Sequence, residues 1–266
     1  MTPAGRVLER AGMRVLVSPD HVSTSRLAAQ RLSDRINAAV AERGRAVIGL
    51  ATGSTPEKIY AQFVEWHRES RLSFRDVTSY NLDEYYPISP LDPRSYRSYM
   101  HRNLFFHVDI APDRAHVFDG TVPEKFAPAH AAEFERWIAA DGGLDVQLLG
   151  IGRNGHIAFN EPSDISDAEA LRLPARLVEL HPVTRATASA DFGGLDRVIP
   201  RALTLGTAAI LAARSIVIVA TGFSKADVVA RALEGPMTAK LPASLLQSVA
   251  DNVTWVLDEA AASGLG

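Results

Sequence analysis

The feature that most constrains the fold is a regular alternation of short apolar segments with amphipathic ones. Continuous apolar runs are typical of strands that are buried on both faces. The predicted strands span residues 13–18, 45–51, 76–82, 115–118, 145–151, 215–221 and 252–258. The predicted helices span residues 23–44, 55–70, 94–106, 128–143, 200–214, 224–234 and 242–249. The alternation predicts an α/β fold: an open, mostly parallel sheet with helices on both faces, a Rossmann-like three-layer sandwich.

Length and composition exclude several classes of protein. The length of 266 residues predicts one domain over 1–266, and the weakly patterned stretch 162–200 is a candidate lid. A net charge of -3 gives no basic field for nucleic acid, and the absence of cysteine excludes disulfides and thiolate chemistry. No segment reaches the roughly 18 apolar residues of a membrane span. We therefore expect a cytoplasmic protein with no nucleic-acid or membrane partner.

Polar loops follow four of the predicted strands. In open parallel sheets, ligands bind outside the carboxyl ends of the strands. The loops there are 52–57, 83–86, 152–156 and 222–227. If the sheet is parallel, these loops lie at one edge and can form one site.

Two of the loops have the character of anion-binding sites. The stretch Thr52, Gly53, Ser54, Thr55 consists of small residues before a helix, where backbone N–H groups bind phosphate. Lys225 also stands at a predicted helix start, where a cation is unfavourable unless an anion lies nearby. The simpler alternative for the first loop is an ordinary capped turn, and for Lys225 a solvated surface lysine. Because both loops are expected at one edge of the sheet, a phosphate-binding site is the favoured interpretation.

The other two loops carry acid and base groups. Asp83 and Glu84 are adjacent carboxylates at a strand end, and His156 and Glu161 flank a loop that contains Asn154. A helix cap and a satisfied polar histidine are the structural alternatives. A histidine and two carboxylate loops opposite a phosphate site are suited to proton transfer on a phosphorylated small molecule.

One pattern suggests a nucleotide cofactor and is rejected. Gly150, Gly152 and Gly155 form a G-x-G-x-x-G after a strand, but Pro162 follows too soon for the helix that a dinucleotide site needs. The histidines show no metal-binding spacing. We expect neither a cofactor nor a metal.

Six stretches carry a recognisable pattern: "GLATGSTPEKIY", "YNLDEYY", "SYRSYMHRNLFFHVDI", "LLGIGRNGHIAFNEP", "VIPRALTLGTAAIL" and "VIVATGFSKAD". In these stretches, and in register from about residue 13 to 258, the sequence resembles the glucosamine-6-phosphate deaminase (isomerizing) family. The related 6-phosphogluconolactonases share the fold and a Gly-His after the same strand, but not the "FNEP" ending.

The resemblance implies a reaction and a set of residue roles. An amino-sugar phosphate, chiefly glucosamine 6-phosphate, and water would become a ketose phosphate and ammonia. Asp83 would move a proton from C2 to C1, and His156, tuned by Glu161, would open the ring. Ser54, Thr55 and Lys225 match positions that hold the phosphate.

Three departures from the family pattern stand out. Asn154 occupies a position where many members have aspartate, so it can orient His156 but cannot carry charge. Ala190 stands where many members have a phosphate-binding arginine, and nearby Arg185 is the candidate substitute. The basic lid that forms an effector site in some members is replaced by "SDISDAEALRLPARLVEL", so allosteric activation is not expected.

Two other functions stay open: a sugar-phosphate lactonase on the same scaffold, and a non-catalytic sugar-phosphate sensor. Against the sensor, the roughly 12 residues before the first strand are too few for the helix-turn-helix of such regulators. The sequence leaves a homo-oligomer open and does not identify which amino sugar is used.

Overall fold

The computed structural model describes residues 5–266 and contains the expected sheet. Eight strands are ordered β1-β2-β11-β10-β7-β3-β4-β6, and every neighbouring pair is parallel except β1 with β2. The strands are β1 Arg6–Arg10, β2 Met13–Ser18, β3 Ala46–Leu50, β4 Val77–Asn81, β6 Ala115–His116, β7 Val146–Gly150, β10 Ile216–Ala220 and β11 Val253–Asp258. The mostly parallel α/β architecture predicted from the sequence is confirmed.

Nine α-helices occur in the described part of the chain. They are α1 His21–Arg43, α2 Ser54–Arg68, α3 Tyr96–Asn103, α4 Ala127–Ala140, α5 Asp167–Ala170, α6 Pro182–Phe192, α7 Thr207–Leu211, α8 Ala226–Glu234 and α9 Glu259–Ala262. Every residue of β3 and β10 is buried. Because alternate residues of a strand point to opposite faces, both faces of the sheet are covered.

A second, smaller sheet was not predicted. Strands β5 Asp83–Tyr86, β8 Arg176–Glu179 and β9 Arg201–Thr204 form an antiparallel sheet in the order β5-β9-β8. The prediction of one helix over 200–214 is therefore wrong: its first part is β9, and only α7 is helical. Alanine and leucine favour helix locally, but β9 pairs with a strand on each side, and these contacts override the local preference.

Other boundaries also differ from the prediction. The loop expected at 83–86 is strand β5, and the helix expected at 242–249 is a 3₁₀ segment, Pro242–Asn252, with non-helical backbone at Val249. The stretch 162–200 contains α5, β8 and α6 rather than irregular chain alone. Strand β1, for which no pattern was found, is an exposed edge strand.

Strand order places a ligand-binding crevice in the middle of the sheet. From β3 the chain proceeds outward through β4 to β6, and it then returns to β7 on the other side of β3 and continues through β10 to β11. The direction of winding thus reverses between β3 and β7. Open α/β sheets bind ligands at such a switch point, outside the carboxyl ends of the strands.

Candidate active site

A cavity of about 250 Å³ opens at this switch point. The segments that follow β3, β4, β7 and β10 all contribute to it, including β5 after β4, and α6 contributes the wall formed by the stretch 162–200. The lining residues are Ala51, Thr52, Gly53, Ser54, Thr55, Leu82, Asp83, Tyr85, Tyr96, Gly150, Ile151, Gly152, Arg153, His156, Ala158, Phe159, Val183, Thr184, Thr187, Ala188, Asp191 and Lys225. The structure thus brings Thr52, Gly53, Ser54, Thr55, Asp83, His156 and Lys225 to one surface.

The glycines after β7 shape the turn that presents His156. A Cβ on Gly152 would lie 2.4 Å from Cε1 of His156, so any larger residue would displace the imidazole. Gly155 has a φ of 88°, and a Cβ there would lie 2.2 Å from Leu241. Both positions require glycine for the path of the chain and the place of the histidine ring.

A tight turn brings His156 and Glu161 together. Ile157 and Asn160 form an isolated β-bridge, with Ala158 between them at a φ of 50°. The buried Asn160 side chain donates from Nδ2 to the carbonyls of Ile157 and Leu205, both at 3.0 Å. The turn is thereby fixed to the end of β9, and two side chains five residues apart face each other.

The Glu161 carboxylate is the centre of a polar network. His156 Nδ1 lies 3.2 Å from Glu161 Oε2, which also accepts from Asn154 Nδ2 at 2.7 Å. Thr184 Oγ1 donates to Glu161 Oε1 at 2.7 Å and lies 3.2 Å from His156 Nδ1. Since a carboxylate only accepts, the proton of a neutral His156 lies on Nδ1, and Nε2 is left as a proton acceptor.

The network keeps Glu161 ionised. Burial raises the pKa of Glu161, but the hydrogen bond and charge of His156, with the hydrogen bonds of Thr184 and Asn154, outweigh it and hold the pKa at about 2. Asn154 also accepts from the backbone N–H of His156 at 3.3 Å. Its main contact is therefore with Glu161, as a donor, which an aspartate at this position could not be.

Asp83 has a different environment. The residue is 7 % exposed, and no described donor holds its carboxylate by a hydrogen bond. Burial, and secondarily the charge of Glu84, raises the pKa of Asp83 to about 8. The cavity thus contains a basic carboxylate without a protein partner, which is the condition of a group that takes a proton from a ligand.

The second sheet places Asp83 beside the histidine turn. Asp83 pairs with Thr204 of β9, and Thr204 Oγ1 accepts from the backbone N–H of Phe159 at 3.0 Å. Strand β9 therefore joins the strand of the carboxylate to the loop of the histidine. No local pattern in the sequence predicts this connection between β5 and the histidine loop.

Glu84 is structural. Its buried carboxylate accepts from Ser95 Oγ at 2.7 Å and from the backbone N–H groups of Tyr96 and Arg97 at 2.8 and 3.0 Å, so it caps α3. At the other side of α3, Tyr99 donates from its hydroxyl to the Gly53 carbonyl at 2.7 Å. We call Glu84, α3 and Tyr99 the α3 brace; it connects the Asp83 strand to the loop before α2.

The loop before α2 forms an anion cradle. Gly53, at a φ of 99°, begins α2 without a side-chain hydrogen bond to the first turn. The N–H groups of that turn, with Ser54 and Thr55, therefore face the cavity with the positive end of the helix dipole. Lys225, across the cavity, donates from Nζ to the Ile151 carbonyl at 2.6 Å. Burial, and then the charge of Arg153, lowers the pKa of Lys225 to about 8.

Sequence reasoning missed several lining residues and included three that do not line the cavity: Arg185, and Asn154 and Glu161, which belong to the network around His156. Residues Thr184, Thr187, Ala188 and Asp191 form one stripe of α6 along the cavity, whereas Arg185 is not among the lining residues. The half-buried Arg185 has a buried Nε without a partner among the described residues. The helical spacing could have shown that Thr184 and Arg185 point in different directions, but not which of them faces the cavity.

Within residues 5–266, no group of three or more His, Asp or Glu side chains is arranged to hold a metal ion. None of the helices in the same range has the length and apolar character needed to cross a bilayer.

The fold and the cavity define an α/β protein with an anion cradle, a basic carboxylate and a histidine–glutamate pair at a topological switch point. The sequence profile of the family described as "Glucosamine-6-phosphate isomerases/6-phosphogluconolactonase" matches residues 19–255. The chain belongs to this family.

Individual relatives support the same family assignment. The chain is 43% identical over 251 residues to a glucosamine-6-phosphate deaminase of Rhodopirellula baltica, covering 94% of this chain and 95% of the relative. Its fold is similar to a solved monomeric glucosamine-6-phosphate deaminase, with a TM-score of 0.86 and 37% identity over 94% of this chain and 99% of the other. A 6-phosphogluconolactonase of Trypanosoma brucei, 21% identical with a TM-score of 0.78 over 98% and 100% of the two chains, shares the fold.

Proposed function

We propose that the protein is an enzyme that converts glucosamine 6-phosphate and water into fructose 6-phosphate and ammonia, in the cytoplasm and without a redox cofactor. The observation that carries the proposal is the pairing, in one cavity, of a partnerless basic carboxylate at Asp83 with the His156–Glu161 pair and an anion cradle. The names of the relatives support the same activity.

In the first step, the substrate phosphate lies in the cradle and the ring opens. His156 accepts the proton of the anomeric hydroxyl and returns a proton to the ring oxygen, so the C1–O5 bond breaks and C1 becomes an aldehyde. Glu161 stabilises the imidazolium that forms between the two transfers. The hydrogen bonds from Thr184 and Asn154 keep Glu161 in place.

In the second step, Asp83 takes the proton from C2 and delivers it to C1. The carbonyl oxygen O1 gains a proton and the amino nitrogen loses one, so that C1 becomes an alcohol carbon and the C2–N bond becomes an imine. Water then adds at C2, the C–N bond breaks, and ammonia leaves as the C2 ketone forms. A carboxylate with a raised pKa is a stronger base for a carbon acid than an ordinary aspartate.

The decisive experiment is an ammonia-release assay without NAD on a panel of amino-sugar 6-phosphates, including the gluco and galacto isomers. We expect release from glucosamine 6-phosphate, and loss of turnover in Asp83→Asn with the fold intact. Hydrolysis of 6-phosphogluconolactone without ammonia would indicate a lactonase, and ligand-induced stabilisation without turnover would indicate a sensor. Light scattering on the same sample would measure the oligomeric state.

A further inference from the structure

The cavity contains a cation that the roles implied by the family do not use. Arg153 follows β7, is exposed, and lines the cavity beside Gly152. A guanidinium carries five N–H donors. In the described part of the chain, none of the side-chain donors of Arg153 makes a hydrogen bond or an ion pair. Arg153 is thus a lining residue of the cavity whose side-chain donors are used by no acceptor among the described residues.

Arg153 stands beside a second cation that also lacks a counter-ion. Its charge lowers the pKa of Lys225, after the larger effect of burial. Lys225 donates to a neutral carbonyl, and within residues 5–266 neither cation forms an ion pair with a carboxylate. Two adjacent like charges cost free energy unless an anion lies between or beside them. The N-terminus of α2 faces the same cavity.

The opposite wall offers no cation. The stripe of α6 on the cavity carries hydroxyls, a methyl group and the Asp191 carboxylate. Ala190, where many family members have an arginine, is exposed and does not line the cavity, and neither does Arg185. Among the described residues, the only guanidinium that reaches the cavity therefore belongs to the β7 loop.

We propose that Arg153 binds the substrate phosphate with its guanidinium group and takes the place of the arginine that many family members carry at the position of Ala190. This inference rests on the proposed function for the identity of the phosphate ester. A guanidinium matches two phosphate oxygens at once, whereas the Lys225 ammonium acts as a point charge. The phosphate is then held by Arg153 in the loop after β7, by Lys225 after β10 and by the N-terminus of α2, with no contribution from α6.

Calorimetric binding of inorganic phosphate tests the role without turnover. We expect Arg153→Gln to weaken phosphate binding about 10- to 100-fold, since hydrogen bonds to charged groups are the strong ones. Arg153→Lys should recover part of the affinity, because it restores the charge but not the fork. Arg172→Gln removes an exposed arginine that does not line the cavity and should bind as the wild type does. Thermal melting checks that each variant is folded.

The outcomes separate this inference from the proposed function. Equal affinity of the wild type and Arg153→Gln for phosphate overturns the role of Arg153, and so does a wild type that binds no phosphate. A wild type that binds phosphate through Arg153 but releases no ammonia refutes only the deaminase. If ammonia is released, KM for glucosamine 6-phosphate should rise in Arg153→Gln by a similar factor, and an unchanged KM counts against Arg153 alone.

Discussion

Replacing Asp83 by asparagine should stabilise the protein while abolishing turnover. The carboxylate is buried, lacks a hydrogen-bond donor, and has a pKa of about 8 against an ordinary value of 3.8. Because the Asp83 carboxyl binds its proton more tightly in the folded than in the unfolded state, the contribution of Asp83 to stability is greatest below pH 3.8. This contribution is lost as the pH rises through about 8. At neutral pH the folded wild type therefore bears the free-energy cost of keeping a proton on Asp83 that the unfolded chain has already released.

The size of the stability gain in Asp83→Asn follows from the shift in the pKa of Asp83. Between the ordinary pKa and pH 7 lie about three pH units, each worth about 1.4 kcal/mol, which gives up to about 4 kcal/mol at pH 7. Asparagine has nearly the same shape and stays neutral, and it loses no hydrogen bond of the carboxylate because none is made with residues 5–266. The gain of Asp83→Asn over the wild type should be near zero at pH 4 and reach its maximum above pH 8.

Urea denaturation of both proteins from pH 4 to 9 measures this difference. A matched control is Asp145→Asn, because Asp145 is equally buried but accepts from Arg43, from Arg214 at 2.9 Å and from the Val47 N–H at 2.9 Å. That variant should lose about 1–3 kcal/mol, since it removes the charged acceptor of these hydrogen bonds. A gain in Asp83→Asn that does not change with pH, or no gain at pH 8, would refute the reasoning about Asp83.

Three further predictions concern the Glu161 network. Glu161→Gln should lose up to about 3 kcal/mol of stability at neutral pH. Because the pKa of Glu161 is depressed, this loss should be complete above pH 4.5 and become smaller as the pH falls toward about 2. Urea denaturation at several pH values would measure it. Asn154→Asp replaces the donor at 2.7 Å with a second carboxylate, so the pKa of Glu161 should rise and the acid limb of the kcat/KM profile should move to higher pH. Thr184→Val removes the donor to Glu161 Oε1, and chemical denaturation should show a loss of about 1–3 kcal/mol; a smaller loss would mean that Thr184 does not hold Glu161.

The sequence was sufficient to predict the main sheet and the edge at which the cavity lies. Apolar runs identified β2, β3, β4, β7, β10 and β11, and parallel pairing requires that the loops after such strands share one edge. The convergence of Asp83, His156 and Lys225 needed no knowledge of side-chain contacts. It followed from strand direction alone.

What the sequence could not show depends on contacts between distant residues. Strand β9 has the composition of a helix and becomes a strand only because β5 and β8 pair with it. Thr184 reaches His156 across 28 residues, and its neighbour Arg185 points elsewhere, so the phase of α6 decides which of them serves the site. Such a phase is set by packing: Ala188 and Phe192 belong to a small core cluster that includes Phe159 and Tyr85.

The α3 brace has a consequence for which substrates fit. One side of α3 is bound by the carboxylate that directly follows Asp83, and the other side is bound to the Gly53 carbonyl at the anion cradle. The strand that carries Asp83 and the loop of the cradle are therefore both bound to one helix, through the buried carboxylate of Glu84 and the hydroxyl of Tyr99. We expect this connection to limit the carbon-chain length of the substrate: an amino-sugar phosphate one carbon shorter should react more slowly, because its phosphate and its C2 would have to reach two positions that one helix holds. The choice of a six-carbon skeleton would then depend on Glu84 and Tyr99, which do not line the cavity.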